Sequence, residues 1–289
     1  MTFQFSASAW VVLAIFLVLF CLEALRPLRR PKRAWGPRWV LNGAVTALAF
    51  ITGAFTVRPV ALGAAAWIAG QGFGLLHLLP PLPFWARLAA GVLLMDLTFY
   101  YWHRLNHTWP LLWRFHNVHH LDPDLDLSTS FRFHFGEVLY STAFRLLQVG
   151  LLGVLPVTYL TYEVLFNCAT MFHHSNVRLP VRLERLVNKV LVTPRMHGVH
   201  HSVVAREAYS NYSVVFSLWD RLHRSLRLNV KQAEVVIGVP GYLLPRDNRL
   251  FPLLTLPFTG QRRYWRWPSG KASQRLTPAA APPPAWLLE

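Results

Sequence analysis

Most of the thirteen histidines in this 289-residue chain fall into four short clusters. The clusters are one H-x-x-x-H motif, two H-x-x-H-H motifs and one doublet, at residues 103–107, 116–120, 197–201 and 173–174. Residues three and four positions apart share one face of a helix, so each spaced motif can present two or three imidazoles to one point. Imidazole is a good ligand for iron, zinc, copper and nickel, and the motifs therefore predict a metal centre.

The number of clustered histidines indicates more than one metal ion. With 13 histidines in 289 residues, about 0.03 H-x-x-H-H motifs are expected by chance, and two are present. Isolated histidines such as His77 and His223 are interpreted as ordinary core or surface residues. Eight or nine imidazoles exceed the three protein ligands of a catalytic zinc site. We expect two ions with about four nitrogen ligands each. A redox pair that shares dioxygen explains this better than zinc, although copper suits the ligands as well as iron does.

Long apolar segments surround the histidines. Hydrophobic residues make up 53% of the chain and charged residues only 15%, against about 25% in soluble proteins. Residues 1–22 carry no charge and lack the positive start of a signal peptide, so a retained transmembrane helix is expected. Residues 39–57 are long enough to span a bilayer. Residues 59–86 are interpreted as an extension of that helix plus an embedded or interfacial loop, and a third helix is expected from about residue 85 to 102.

The order of these segments predicts the topology. The apolar region 138–172, interrupted by Arg145, Pro156 and Glu163, has the length of a helical hairpin that returns to its starting side. The basic run within residues 26–33 is cytoplasmic by the positive-inside rule, and the N-terminus is then outside. Both histidine-rich segments, 103–137 and 173–201, fall on the cytoplasmic side. The predicted fold class is all-α: an integral, multi-pass membrane protein with about four transmembrane helices, including the hairpin, and a His-rich cytoplasmic helical cap.

The order of the motifs resembles that of the fatty acid hydroxylase/sterol desaturase superfamily, over roughly residues 95–221. The family's flanking residues are also matched. Asp96 and Tyr100 precede the first motif, and Arg132-Phe-His134 with Glu137 is similar to the family's R-F-H-P-x-E element, although Phe-Gly replaces Pro and its neighbour. Thr-Pro at 193–194, Asn-Tyr at 211–212 and Trp-Asp at 219–220 resemble its closing motifs.

The resemblance implies two iron ions bound by histidines above a membrane anchor, with O2 as co-substrate and a lipid C–H bond as target. The residues that match the family's ligand positions are His103, His107, His116, His119, His120, His174, His197, His200 and His201. His134 and His173 are possible ligands or supporting residues. Adjacent helical residues point about 100° apart, so His173 and His174 are not expected to face one centre together. The residues predicted to orient imidazoles from behind are Asp96, Glu137 and Asn176.

The sequence also predicts which cofactors and partners are involved. It contains neither the G-x-G-x-x-G of a dinucleotide site nor the C-x-x-C-H of haem attachment, so no bound flavin, nicotinamide or haem is expected. Electrons must come from an external donor, and the resemblance suggests a ferredoxin or a cytochrome b5-type protein. A formal charge of +16 would attract an acidic partner. No nucleic-acid-binding module is recognisable, and the basic residues are assigned to a membrane face.

Alternating aspartates at 122, 124 and 126 superficially resemble calcium ligands. The run lacks the glycine and the bidentate glutamate of an EF-hand loop. We interpret it as an acidic surface loop.

The predicted function is O2-dependent hydroxylation or desaturation of a membrane lipid. A sterol or hopanoid, a fatty acyl chain, an alkylglycerol and a carotenoid all remain open as substrates. One alternative is a zinc-dependent membrane hydrolase, with Glu137 as the nearest candidate base. Another is a non-enzymatic metal-handling membrane protein, which would carry polar residues through the middle of its helices. The predicted domains are membrane helices (1–94), a catalytic domain (95–225), an extension of the cap (226–260) and a basic, Pro/Ala-rich disordered tail (261–289).

Overall fold

A computed structural model describes residues 7–275 of the chain. The described part is helical and contains no β-strand, only four isolated bridges. Its α-helices are, in chain order, α1 (Ala7–Leu25), α2 (Trp35–Phe55), α3 (Val57–Gln71), α4 (Phe84–Thr108), α5 (Pro110–His120), α6 (Phe135–Leu152), α7 (Pro156–His174), α8 (Val181–Asn188), α9 (Pro194–His200), α10 (Ala205–Ala208), α11 (Leu218–Leu222) and α12 (Leu250–Thr255). The prediction of an all-α fold is confirmed.

Two segments of the described chain are long and apolar enough to cross a membrane, Ser8–Leu25 and Trp35–His77. Only 6% and 17% of the residues in their most apolar windows are buried, so most of their side chains face outward. Trp10 of the first segment is 58% exposed and Phe55 of the second is 79% exposed. Apolar surface of this extent suits a surrounding of lipid better than one of water. The number of four crossings and the cytoplasmic orientation of the cap stay predictions.

Helices α3, α4, α6 and α7 share one apolar core. Ala61 and Ala65 of α3 are fully buried, and such small side chains let helix backbones approach closely. Helices α6 and α7 are joined by the short turn 153–155, in which Gly153 has a φ of 68°. A Cβ atom at Gly153 would collide with the carbonyl oxygen of Phe73, so this tight turn requires glycine. That the two helices form a membrane hairpin stays a prediction.

Helix α4 is longer than the sequence predicted. The expected end was residue 102, whereas α4 continues to Thr108 and carries His103 and His107 in its last turns. Asp96, Tyr100, His103 and His107 are all buried along one side of this helix. The first histidine motif is therefore held on a rigid helix that begins in the apolar core.

The connection between α1 and α2 is tied to the chain that follows α7. The Leu28 amide donates to the Asn176 carbonyl (2.7 Å), and the Arg178 amide donates to the Arg26 carbonyl (2.8 Å). The Asn176 side chain accepts from the Arg29 amide (2.8 Å) and donates to the Arg29 carbonyl (2.8 Å). The hydrogen bonds of Asn176 thus hold this connection and go to no imidazole, contrary to the role predicted for it.

The acidic run at 122–126 is a buried ion cluster, so its interpretation as a surface loop is wrong. Asp122 is fully buried and accepts from the guanidinium of Arg38 (3.2 Å), with Arg132 at 3.5 Å. Arg38 also pairs with Asp126. Buried charges persist only when they are paired, and here one partner, Arg38, lies 84 residues from Asp122 in sequence.

Residues 261–275, which composition assigns to the disordered tail, pack on the cap. Trp265 stacks on Trp113 with ring centroids 5.8 Å apart. Arg275 donates to Glu207 at 2.8 Å. The Pro/Ala-rich stretch lies in residues 276–289, outside the described residues. The domain boundaries stay predictions.

Candidate metal centre

The structure brings nine buried histidines together in two groups. Helices α4, α5 and α9 supply the first group, which consists of His103, His107, His116, His120 and His200. Helices α5, α7 and α9 supply the second group, which is completed by the residue after α9 and consists of His119, His174, His197 and His201. Within each group, one ring nitrogen of every residue lies within 4.8 Å of the others. These nine residues are the ones that match the ligand positions of the family that the sequence resembles.

Each H-x-x-H-H motif is divided between the two groups. In the first motif, His116 and His120 join the first group and His119 joins the second. The second motif is divided the opposite way, because its pair four residues apart joins the second group and only His200 joins the first. The sequence predicted that each motif faces one point, and that expectation is too simple. The two groups are neighbours, since the rings of His120 and His201 stack with centroids 4.1 Å apart.

Ring nitrogens in both groups have the geometry of ligands for a cation. In the second group the Nε2 atoms of His119 and His174 are 3.0 Å apart, as are those of His174 and His197 and those of His197 and His201. Two nitrogens that bind one ion at about 2.1 Å and at right angles would be about 3 Å apart. Four buried Nε2 atoms of the first group have no hydrogen-bond partner within residues 7–275. They belong to His107, His116, His120 and His200. The residues therefore fit two metal ions.

Four of the imidazoles are oriented by hydrogen bonds from Nδ1, the ring nitrogen that points away from the centre. The Nδ1 atom of His116 donates to Glu137 (2.8 Å). The other three acceptors are backbone carbonyls: His103 donates to Tyr212 (2.8 Å), His200 to Ser210 (2.7 Å) and His174 to Thr170 (2.8 Å). A proton held on Nδ1 leaves the lone pair of Nε2 free for a metal. Sequence reasoning found Glu137 and missed the carbonyls, which no residue type reveals.

Two buried aspartates position the loop that carries the carbonyls of residues 210 and 212. Asp220 accepts from the amides of Tyr212 (2.9 Å) and Ser213 (2.8 Å). Asp96 accepts from the Phe216 amide (3.0 Å) and the Trp219 indole (2.8 Å). Asp96 thus holds this loop, with one further hydrogen bond from Tyr162 (3.1 Å), and it supports His103 indirectly instead of contacting an imidazole.

Burial keeps the histidines neutral. Removal from water, reinforced by neighbouring imidazoles, lowers the pKa of His119, His120, His197 and His201 well below the usual 6.5. The pKa of His200 falls to about 3, mainly through burial, against which its hydrogen bond to Ser210 acts. Neutral imidazole is the form that binds metals, so the site is ready for ligation at neutral pH.

His134 and His173 belong to neither group. His134 caps α6: its Nδ1 atom accepts from the Gly136 amide (2.9 Å), and its Nε2 atom donates to the Leu254 carbonyl (3.0 Å). Both ring nitrogens are thus used within the protein. His173 lies beside the second group, with its ring centroid 4.1 Å from that of His197, and bonds to the backbone of Val214. The expectation that His173 and His174 do not serve the same centre agrees with this arrangement.

A cavity of about 170 Å³ connects the two groups to the apolar helices. His103 and His116 of the first group and His119 of the second line one part of it. Phe99 and Phe166, from α4 and α7, line the apolar part. A space of this size between imidazoles and aromatic rings admits a slender apolar group.

Known proteins with matching sequences are lipid hydroxylases and monooxygenases. The profile of the family described as fatty acid hydroxylase matches residues 88–225. An ornithine lipid hydroxylase, OlsE, from Rhizobium tropici is 29% identical over 158 residues, 54% of this chain and 46% of that protein. Human cholesterol 25-hydroxylase is 31% identical over 139 residues, 47% of this chain and 49% of that protein. An alkylglycerol monooxygenase from Xenopus tropicalis is 29% identical over 133 residues, 44% of this chain and 28% of that protein.

The match spans about half the length of the first two relatives. No solved structure matches the chain. The shared segment contains all nine grouped histidines. On this evidence, residues 88–225 of the chain are similar to the fatty acid hydroxylase family and to lipid hydroxylases and a monooxygenase.

Proposed function

We propose that this chain is a membrane enzyme that uses O2 to hydroxylate a lipid at two iron ions held by the nine grouped histidines. The observation that supports this most strongly is the pair of adjacent, buried imidazole groups at the end of an apolar cavity. The relatives are named as hydroxylases and a monooxygenase, which favours hydroxylation over desaturation.

In this proposal the protein holds and orients the metal pair and keeps water away from it. The first group would supply five ligands to one ion and the second group four to the other. When bound, a pair of iron ions supplies the activation of O2 and the removal of hydrogen from an unreactive C–H bond. Glu137 and the carbonyls of the 210–212 loop fix the direction of the imidazoles. Phe99 and Phe166 exclude water from the space where the lipid would lie.

The position of Glu137 argues against the zinc hydrolase. A hydrolase needs a carboxylate beside the water that the metal activates. Glu137 instead accepts from the Nδ1 atom of His116, on the side of the ring away from the Nε2 atom that is free for a metal. This places the carboxylate behind a ligand, where it orients the ring.

The surroundings of the site suggest how substrate and electrons arrive. Apolar outward faces on α1 and α2 support an integral membrane protein with lateral entry of the lipid from the bilayer. We infer that the cap faces the cytoplasm. An external donor of the ferredoxin or cytochrome b5 type would reduce the metal centre there, attracted by the chain's excess of positive charge.

The first experiment is elemental analysis with Mössbauer spectroscopy on protein purified in mild detergent from iron-supplied cells. We expect about two irons per chain, as the number of imidazoles suggests. The purified protein is then given a total lipid extract, a reduced donor and O2, and the products are examined by mass spectrometry. Gain of one oxygen atom indicates hydroxylation, and loss of two hydrogens indicates desaturation.

Single substitutions test the assignment of the ligands. His107→Ala removes a ligand from the first group and His119→Ala removes one from the second, so both variants should lose metal and lipid oxidation. His223→Ala is the matched control, because His223 bonds to Tyr101 and Trp219 outside both groups. Full oxidation activity in both ligand variants, or stoichiometric zinc that iron cannot replace together with no O2-dependent activity, would refute the proposal.

A further inference from the structure

Arg145 of α6 is a cation in apolar surroundings. Helix α6 packs against α2 and α3, which form the second apolar segment. Its outward neighbours Leu146 and Leu147 are 47% and 61% exposed, as suits contact with lipid. An ionisable residue at such a position is costly and marks a functional site by default.

The contacts of Arg145 leave its positive charge without a carboxylate of its own. Its Nη1 atom donates to Gln148 (2.6 Å), and its guanidinium lies 4.9 Å from the ring centre of Phe99 and 5.6 Å from that of Phe166. Aromatic rings attract a cation but do not neutralise it. Within residues 7–275, no carboxylate oxygen lies at ion-pair distance from Arg145.

Two acidic side chains on the neighbouring helices α7 and α4 are engaged elsewhere. Glu163 of α7 is close enough to interact with Arg145 electrostatically, but it is paired with Arg58 at 3.5 Å. Asp96 accepts hydrogen bonds from the 215–219 segment and from Tyr162. Neither carboxylate is available as a full counter-ion for Arg145.

Arg145 lines the same cavity as the imidazoles. Glu137, Ser141 and Arg145 follow one another at intervals of four residues on one face of α6, and all three line this cavity. Eight residues of helix separate Glu137 from Arg145, which is about 12 Å along the axis. Because Glu137 is bonded to His116, the cavity extends from the metal-binding groups to the cation.

We propose that Arg145 binds an anionic oxygen group, a carboxylate or a phosphate, on the lipid that occupies this cavity. A guanidinium presents donors in a planar fork that matches these two groups, and their attraction is strong where water is excluded. An uncharged lipid would leave the cation unpaired, so it should bind less well. The inference rests on the proposed lipid oxidation, narrows its substrate to acidic lipids, and excludes uncharged lipids such as carotenoids and sterols.

The test is equilibrium binding to the purified protein in lipid nanodiscs, without reductant, so that no turnover occurs. The probes are radiolabelled palmitate, hexadecyl phosphate and methyl palmitate. We expect saturable binding of the wild-type protein to an anionic probe at least about tenfold tighter than to the ester. Palmitate and the phosphate, compared with each other, identify which anion is preferred.

Variants at one wall of the cavity complete the design. Arg145→Met should remove the preference for the anion while the ester binds as before, and Arg145→Lys should keep part of it. His223→Ala, which lies outside the cavity, is the control and should keep all of it. Thermal unfolding of each variant checks that the protein is folded.

Two results would overturn the inference: wild-type protein that binds methyl palmitate as tightly as both anions, or a preference that Arg145→Met leaves intact. The first needs no variant, so a misfolded Arg145→Met cannot rescue the inference. Because binding is measured without turnover, its outcome is separate from that of the proposed function. If an iron-loaded protein clearly prefers the anion but oxidises no lipid, the proposed lipid oxidation is refuted and the anion site at Arg145 is not.

Discussion

The role of each histidine is decided by what its second nitrogen contacts. His116, His103 and His200 give Nδ1 to an acceptor within the protein and present Nε2 to the centre. His134 is as deeply buried, but both of its nitrogens bond to the protein backbone, so it caps a helix. Residue type alone does not separate these two roles.

Removal of the Glu137 carboxylate should weaken metal binding. Glu137→Ala leaves Nδ1 of buried His116 without an acceptor, and loss of such a partner costs about 10- to 100-fold in metal affinity. Glu137→Gln keeps a neutral acceptor and should lose less. Metal affinity is measured by competition with a chelator, and Ser141→Ala on the next turn is the control. Wild-type affinity in Glu137→Ala would show that the carboxylate is not needed to orient His116.

At the scale of elements, the histidines stand on helices, but a loop sets the direction of two of them. The 210–220 segment has little regular structure, and its Asn211 adopts a positive φ of 55°, which asparagine tolerates better than most residues. The side chain of Asn211 donates to the carbonyls of Met196 and Arg227, which ties the loop to α9. The loop therefore links α4, α9 and the end of the cap.

Asp220 should be essential to that link. Asp220→Ala would leave the buried amides of Tyr212 and Ser213 unpaired, at a cost of about 1–3 kcal/mol for each group. We expect a lower melting temperature and a lower metal affinity together, since Tyr212 also carries the acceptor for His103. Glu234→Gln is the control. The Glu234 side chain is 46% exposed, so its ion pair with Arg275 contributes little to stability. A stable Asp220→Ala variant with unchanged metal content would contradict this account.

The protein contains many neutral histidines in a buried centre. Because these residues bind protons more readily when unfolded, the stability of the protein depends on pH. In the unfolded chain these residues take up protons near pH 6.5, whereas burial holds their pKa lower in the folded protein, at about 3 for His200. Below about pH 6.5 the unfolded state therefore binds more protons than the folded state, and the free energy of unfolding must fall as the pH falls.

Acidification should also release the metal. Protons compete with metal for the same nitrogens, so metal loss and destabilisation should occur together. The measurement is thermal unfolding and metal content between about pH 7.5 and about pH 5, in nanodiscs and at constant ionic strength. The His223→Ala variant should follow the wild type, because His223 lies outside the centre. A melting temperature independent of pH over this range would contradict the prediction.

The sequence by itself determined the helical class, the apolar segments and the nine clustered histidines. These features are local: a helix brings residues three or four apart together, and an apolar run is visible without knowledge of its neighbours. The lengths of the helices were only partly predictable. Helix α4 continues past residue 102, and this extension carries His103 and His107.

Only the tertiary structure decided how each motif is divided between the two groups and what lies behind each ring. His103 meets the carbonyl of Tyr212 across 109 positions of sequence, and Arg38 meets Asp122 across 84. The tertiary structure likewise placed the packed residues 261–275 and connected Arg145 to the histidine cavity. Contacts between distant segments depend on how the helices pack, and spacing along the chain does not encode them.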